Sequence, residues 1–453
     1  MKIGFSAANI TPSYGMERPG GTGKAYHMGI HDDCWASACV MDDGEQAIAV
    51  VGLDTLSVKR SVVQAAREII TEAIGMPSEH VMVGASHTHS GGPVAEGGFA
   101  AGADADYLRH LSRQIATAVI DANRRAEELQ IGVGVGEAPG VAHYRRWYMK
   151  DGTMWSHPGG KKQDEMDRPH GELDPSVGVV GASDADGNLK GCIVNFTCHG
   201  TTGLGVAGTS SSDWVHFLRK TLKDVFGEEF GVVFVNGACG DITQVDNTQP
   251  PGTPWSGPFM ARRVGMTVAG EAIKVLVQMP FADRLQVAGR SEVIMLTPRE
   301  ITPEMLQWAE AHLESDALVE GRWFPDKLWA REWIELAKIN EIEPEIPAEV
   351  QALTVGGAAF VATPAEYFCA LGNDIKRRSK FQPTFVVELA NGCVGYVGTR
   401  DAYGEDYIPR DDKPFNGGYE TTPARSSKCA PGSGEQIADA IVELVNSMAR
   451  PAD

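Results

Sequence analysis

His87 and His89, in Ser86-His87-Thr88-His89-Ser90, are the most closely spaced histidines in the chain. Residues two apart in an extended segment face the same side, so this spacing predicts that both rings reach one pocket. His199 follows Asn195-Phe196-Thr197-Cys198, and Glu366 and Tyr396 follow Pro364-Ala365 and Asn391 to Gly395. A catalytic zinc ion takes about three or four N or O ligands, one position being left to water. His87, His199 and Glu366 would suffice, and the chemistry would be hydrolysis by metal-activated water. His89 suits proton transfer, because an unperturbed imidazole titrates near neutral pH. His27, His31, His143, His157 and His170 carry the same ring, and periodicity does not exclude them. Arg145 and Arg146 adjoin a glycine-bearing loop, where a guanidinium could hold a carboxylate or a polarised carbonyl oxygen.

Other chemistries find less support. The chain has no Gly-x-Ser-x-Gly elbow, no Gly-x-x-x-x-Gly-Lys-Ser/Thr loop and no His-Glu-x-x-His, the signatures of serine hydrolases, P-loop enzymes and zincins. Cys239, in Gly237-Ala238-Cys239-Gly240-Asp241, is a lesser candidate nucleophile. Asp241 could orient a histidine or cap its own loop.

Short apolar runs must position these groups: Ala47 to Gly52, Val81 to Ala85, Gly191 to Cys198, Gly231 to Val235, Ala358 to Ala362 and Thr384 to Leu389. Five of them run directly into polar residues, namely His87 with His89, His199, Asn236 with Asp241 and Thr243, Glu366, and Asn391 with Tyr396. Amphipathic helices alternate with the runs. One spans Ser57 to Gly75, a second carries Leu108, Leu111, Ile115 and Val119, a third is capped by Asp213, and a last carries Ile437, Ile441, Leu444 and Met448. The alternation predicts an α/β fold, a mixed β-sheet core flanked by helices with a metal site at the strand ends, where open α/β sheets bind ligands. The expected organisation is one catalytic domain over 1–453 with a helical insertion near 302–338. Asp151 to Pro175 and Asp401 to Gly434 resist secondary structure and read as binding loops. Their Lys161, Lys162, Arg410 and Lys413 hint at a small or anionic substrate.

The 453 residues carry a formal charge of −20 and are 43% apolar. That charge argues against nucleic acid as a partner, and no run is long enough for stable membrane insertion. The start lacks a stretch of signal-peptide length, and the eight cysteines form no Cys-x-x-Cys pair, so a cytoplasmic protein with reduced thiols and a small-molecule substrate is expected. Oligomeric state is not specified by these patterns.

Gly84-Ala85-Ser86-His87-Thr88-His89-Ser90-Gly91-Gly92, Asn195 to His199, and Asn236-Gly237-Ala238-Cys239-Gly240-Asp241-Ile242 together resemble the neutral/alkaline, non-lysosomal ceramidase family. Asn9-Ile10-Thr11-Pro12 resembles that family's start. The resemblance implies a zinc amidase acting on an N-acyl bond, with one zinc ion held by His87, His199, Glu366 and Tyr396. It also implies that His89 and Arg145 contact substrate and the developing oxyanion. Thr243 stands where the family has a serine, and the chain ends without room for the family's C-terminal immunoglobulin-like domain, so a ceramidase-like homologue is expected rather than a ceramidase. A uronate lyase using the same His, Tyr and Arg groups, or a non-catalytic binding relative, are the alternatives.

Overall fold

The structure is a computed structural model describing residues 1–449 apart from 22, 96–101, 161, 204–207, 319–322, 405–406 and 410–416. Lys161, Arg410 and Lys413 lie outside the described residues.

Three mixed sheets carry the fold. The first runs Val81–Ala85, Ala47–Leu53, Trp35–Asp42, Lys2–Asn9, Glu127–Glu128 in spatial order. The second runs Gly231–Asn236, Leu189–Phe196, Ser176–Ser183, Gln130–Glu137, and the third Val287–Leu296, Ile346–Val355, Ala358–Ala362, Thr384–Val387. Each sheet contains one parallel pair at its edge: Ala47–Leu53 with Val81–Ala85, Leu189–Phe196 with Gly231–Asn236, and Ala358–Ala362 with Thr384–Val387. A parallel pair needs a crossover, and in every case a helix supplies it: Arg60–Ile74, Trp214–Phe226 and Cys369–Arg378. Parallel strands also deliver their carboxyl ends to the same side. Repeating the unit three times therefore brings candidate residues far apart in sequence to one place.

The packing follows from which faces are apolar. Ile3, Met41, Val50, Ile193, Val235, Phe360 and Val387, drawn from all three sheets, share one buried cluster. The outer faces are covered by helix pairs: Arg60–Ile74 with Ala105–Arg124, Trp214–Phe226 with Pro258–Gln278, and Cys369–Arg378 with Ser433–Ser447. Asn391 joins the first and third sheets, its side-chain oxygen accepting from Val83 N at 3.0 Å and its amide donating to Gln351 at 2.7 Å. Asn236 donates to the carbonyls of Ser86 and Cys198 at 3.2 and 3.1 Å, joining the first sheet to the second. These two strand-end amides are thus structural clamps.

The helix read from Ser57 begins at Arg60 and ends as expected at Gly75, whose φ of 71° suits glycine. Asp213 caps its helix by accepting from Trp214 N at 2.9 Å. Asp151 to Pro175 is more ordered than expected, since Met154–Ser156 and Met166–Pro169 pair on either side of Arg146–Met149. Pro303–Ala311 and Asp326–Ile342 are helices that pack through Met305, Ala309, Ala330 and Trp333. No described helix is long and apolar enough to cross a membrane.

Candidate metal centre

The strand Val81–Ala85 ends two residues before His87, which adopts a left-handed backbone with φ of 63°. Strand alternation therefore does not bring His87 and His89 together, contrary to the expectation from their spacing. The chain turns sharply instead, leaving the rings 4.8 Å apart with Nε2 atoms 3.3 Å apart. The turn is tied to the second sheet's loop, His89 N donating to Gly200 O at 3.1 Å. A side chain on Gly200 would lie 2.7 Å from the His87 carbonyl, so only glycine permits this approach.

Each imidazole is anchored from behind. His87 Nδ1 lies 2.7 Å from Leu56 O, and His89 Nδ1 lies 2.9 Å from Gly20 O. A carbonyl only accepts, so both Nδ1 atoms carry the proton and both Nε2 lone pairs point inward. His199 Nδ1 rests on Cys239 Sγ at 3.3 Å, and its ring centroid is 4.3 Å from that of His87. One ligand atom from each of His87, His89 and His199 falls within 4.8 Å of the others. Glu366 Oε2 lies 3.2 Å from His87 Nε2 and 3.6 Å from His199 Nε2, yet this buried oxygen has no hydrogen-bond partner. Inward lone pairs gathered around an unpartnered carboxylate oxygen fit a divalent ion of zinc type. The geometry adds His89 to the residues able to hold it.

Glu366 is placed by a short parallel pairing in which it sits opposite Tyr396. Burial opposes its charge, but His87 and His199 hold its carboxyl well below the usual range. Burial likewise opposes charge on His87, and Glu366 nevertheless raises its pKa. Burial and then His87 push His89 down to about 3, so its expected titration near neutrality is not found in this setting. Burial, then Glu366, drives the Tyr396 phenol well above its ordinary range, so the hydroxyl keeps its proton.

Arg145 is buried at the pocket wall. Its Nε donates to Glu420 Oε1 at 2.9 Å, Nη2 to Gly240 O at 2.5 Å, and Nη1 meets His199 Nε2 at 3.2 Å. The guanidinium carbon lies 5.5 and 5.2 Å from the ring centroids of Tyr396 and Tyr419. Arg146 points away from the pocket and binds Glu420 Oε2 at 3.1 Å and Ala402 O at 2.9 Å, so its role is structural.

The remaining candidates separate cleanly. Thr243 lines the pocket, but its hydroxyl donates to Gln244 Oε1 at 2.9 Å. Asp241 accepts from Cys369 N at 2.9 Å and so ties its loop to a helix start rather than orienting a zinc-type ligand. Cys239 is fully buried and donates to Glu388 Oε1 at 2.7 Å; burial and then Glu388 raise its thiol well above the ordinary value, which removes it as a nucleophile. His157 lines the pocket, whereas His27, His31, His143 and His170 do not. Lys162 lies 5.3 Å from the Trp155 ring centroid, also outside the lining. Sequence reasoning missed Tyr419, Glu420, Glu388 and Gln244, which occupy loops or strand ends without a spacing signal. The enclosing cavity has a volume of 680 Å³, within the range of about 300–1,000 Å³ usual for ligand pockets.

Three helix-crossed parallel pairs converging on a cluster of histidines and a carboxylate make a mixed α/β fold like that of solved ceramidases. The structure of neutral ceramidase from Pseudomonas aeruginosa matches with a TM-score of 0.72 and 17% identity, over 100% of this chain and 76% of that chain. A ceramidase complexed with C2 matches with a TM-score of 0.70 and 17% identity, over 100% of this chain and 77% of that one. No family model matches the chain, and no curated protein matches it significantly.

Proposed function

We propose that this chain is a zinc-dependent amidohydrolase that cleaves the N-acyl C–N bond of a small molecule. The observation that carries the reading is the convergence of His87, His89 and His199 with the unpartnered Glu366 oxygen beside Arg145 and Tyr396. The likeness of fold to the two ceramidases supports it.

His87, His199 and Glu366 would hold the ion, with Tyr396 and His89 beside them. A zinc ion held there supplies Lewis acidity, lowering the pKa of water to about 7 and polarising a carbonyl. Arg145 and Tyr396 provide N–H and O–H donors for the oxygen that becomes negative as the carbonyl is attacked. Of the Arg145 N–H groups, Nη1 is the one directed at the candidate ligands, 3.2 Å from His199 Nε2. His89 keeps its Nε2 lone pair inward, and the burial that makes it a weak base makes its protonated form a strong acid toward the departing amine, the role proposed for it. Gln244 holds Thr243 as part of the pocket wall. The cytoplasm suits the described cysteines, all of which are free thiols.

The test is to measure bound metal in purified protein by mass spectrometry and then to assay N-acyl substrates for released amine. Stoichiometric zinc, and amine release that disappears with a chelator and returns with zinc, are expected. Full amine release from stripped protein sinks the reading. So does an ultraviolet-absorbing unsaturated product from uronic-acid oligosaccharides without amine release, which would identify a lyase.

A further inference from the structure

The polar lining of the pocket has an unusual balance of charge. Among its described residues are Lys59, Arg145, Arg425 and Lys428, while Glu366 is the single carboxylate. The whole chain carries −20, so this is a local reversal of the background. Cationic groups collected in a concave, low-dielectric site concentrate the field and attract an anion.

The excess can be traced to particular pairs. Arg145 and Arg146 are both buried, and the only ion pair each forms among the described residues is with Glu420. Two guanidinium charges thus share one carboxylate, and the surplus lies at Arg145, on the pocket side. Arg425 is held from behind, with Nε and Nη2 donating to Glu332 at 3.1 and 2.6 Å. Lys428 is half-buried and joins no ion pair with a described residue. It lines the same pocket as Glu366, Cys393 and Tyr396. The apolar part of the lining is Leu56, Val58, Val94, Trp323 and Phe324. The 680 Å³ volume accommodates a compact ligand with one apolar group and one acid.

We infer that the amide this pocket takes bears a carboxylate on its amine side, as in an N-acyl amino acid, with Lys428 reading the acid in a positive field to which Arg145 adds, and Leu56, Val58, Val94, Trp323 and Phe324 holding the apolar part. The inference rests on the amidohydrolase reading of the same site. In the reaction the water oxygen joins the acyl carbon, the C–N bond breaks, and the nitrogen leaves as an amino acid after gaining a proton. A buried or half-buried charge pair of this kind is worth a factor of about ten or more in affinity.

The experiment pairs N-acetylphenylalanine with N-acetyl-2-phenylethylamine, which has the same amide and ring but lacks the carboxylate. Calorimetric titration of chelator-treated wild-type protein gives binding without turnover, and zinc-loaded protein gives kcat/KM for both compounds. The acid should bind at least about tenfold more tightly and be cleaved with a correspondingly higher kcat/KM. Lys428→Met should collapse that ratio mainly through KM, and Lys428→Arg should restore most of it. Equal affinity of wild-type protein for the two compounds overturns the inference. Hydrolysis of neither compound, with the binding preference intact, supports the anion site and counts against the amidohydrolase reading; hydrolysis of both at equal rates does the reverse.

Discussion

Two cavities lined by described residues offer histidines and a carboxylate, and of these two one is fit for an ion. The second, of 570 Å³, is lined by His31, Asp32, His216 and Arg219. Its rings of His31 and His216 lie 6.2 Å apart, and His31 Nδ1 lies 2.8 Å from Asp32 Oδ2. By residue type this is close to His87, His199 and Glu366. Asp32, however, accepts from Ser211 Oγ at 2.5 Å, Ser212 N at 2.8 Å and Ser212 Oγ at 2.7 Å as well as meeting His31. Its lone pairs are spent on protein donors, whereas Glu366 Oε2 has none. Metal competence therefore follows from what remains unsatisfied after folding.

The sharpest way to break this comparison is to remove one histidine from each cavity. His87→Ala should lower bound zinc from about one ion per chain to none and abolish amine release, while His216→Ala should keep both. Equal metal loss in the two variants would erase the distinction. Next in size is Glu420→Ala, which leaves the Arg145 and Arg146 guanidinia buried without a counter-charge. It should cost about 3–5 kcal/mol in denaturant unfolding, and a cost below about 1 kcal/mol would show that the network is solvated. Cys239→Ala or Glu388→Gln should weaken zinc affinity by about 10–100-fold by releasing His199 Nδ1 from its support, with the fold kept. Unchanged affinity in a competition titration would show that His199 needs no such anchor.

The smallest effect concerns pH. Burial and then Arg145 push His157 down to about 4. Between about 6.5, its ordinary value, and about 4 the unfolded chain binds a proton that the folded chain refuses, so stability is lost as pH falls through that window. His157→Gln should show a smaller drop in melting temperature from pH 7 to pH 4 than wild type. Identical drops in the two proteins would remove His157 from the account.

Much of the fold was legible because the helix crossovers are amphipathic and the parallel strands are short apolar runs. Val81–Ala85 and Ala358–Ala362 begin and end where the apolar runs do. Strands such as Gln130–Glu137 and Val287–Leu296 were not read, since their half-exposed faces and glycines blur the alternation. In the site, His87, His199, Glu366, Tyr396 and Arg145 were named from their positions after strands and from motif resemblance, and the structure gathers all five. The left-handed turn at His87 was not legible, because it depends on Gly200 giving way to the His87 carbonyl across two sheets. Glu420 and Lys428 come from the loop that showed no pattern, and their meaning depends on partners far away in sequence.

The amino-acid order by itself determined the local facts: which residues could bind an ion or carry a proton, where helices start and stop, and that helices alternate with short apolar strands. Those follow from side-chain chemistry and from periodicity over a few residues. Only the tertiary structure decided which of two histidine-carboxylate groups keeps free lone pairs, which way each imidazole points, and where the buried positive charge lies. Such properties are balances among donors and acceptors drawn from separate sheets, and no short stretch of chain contains both sides of the balance.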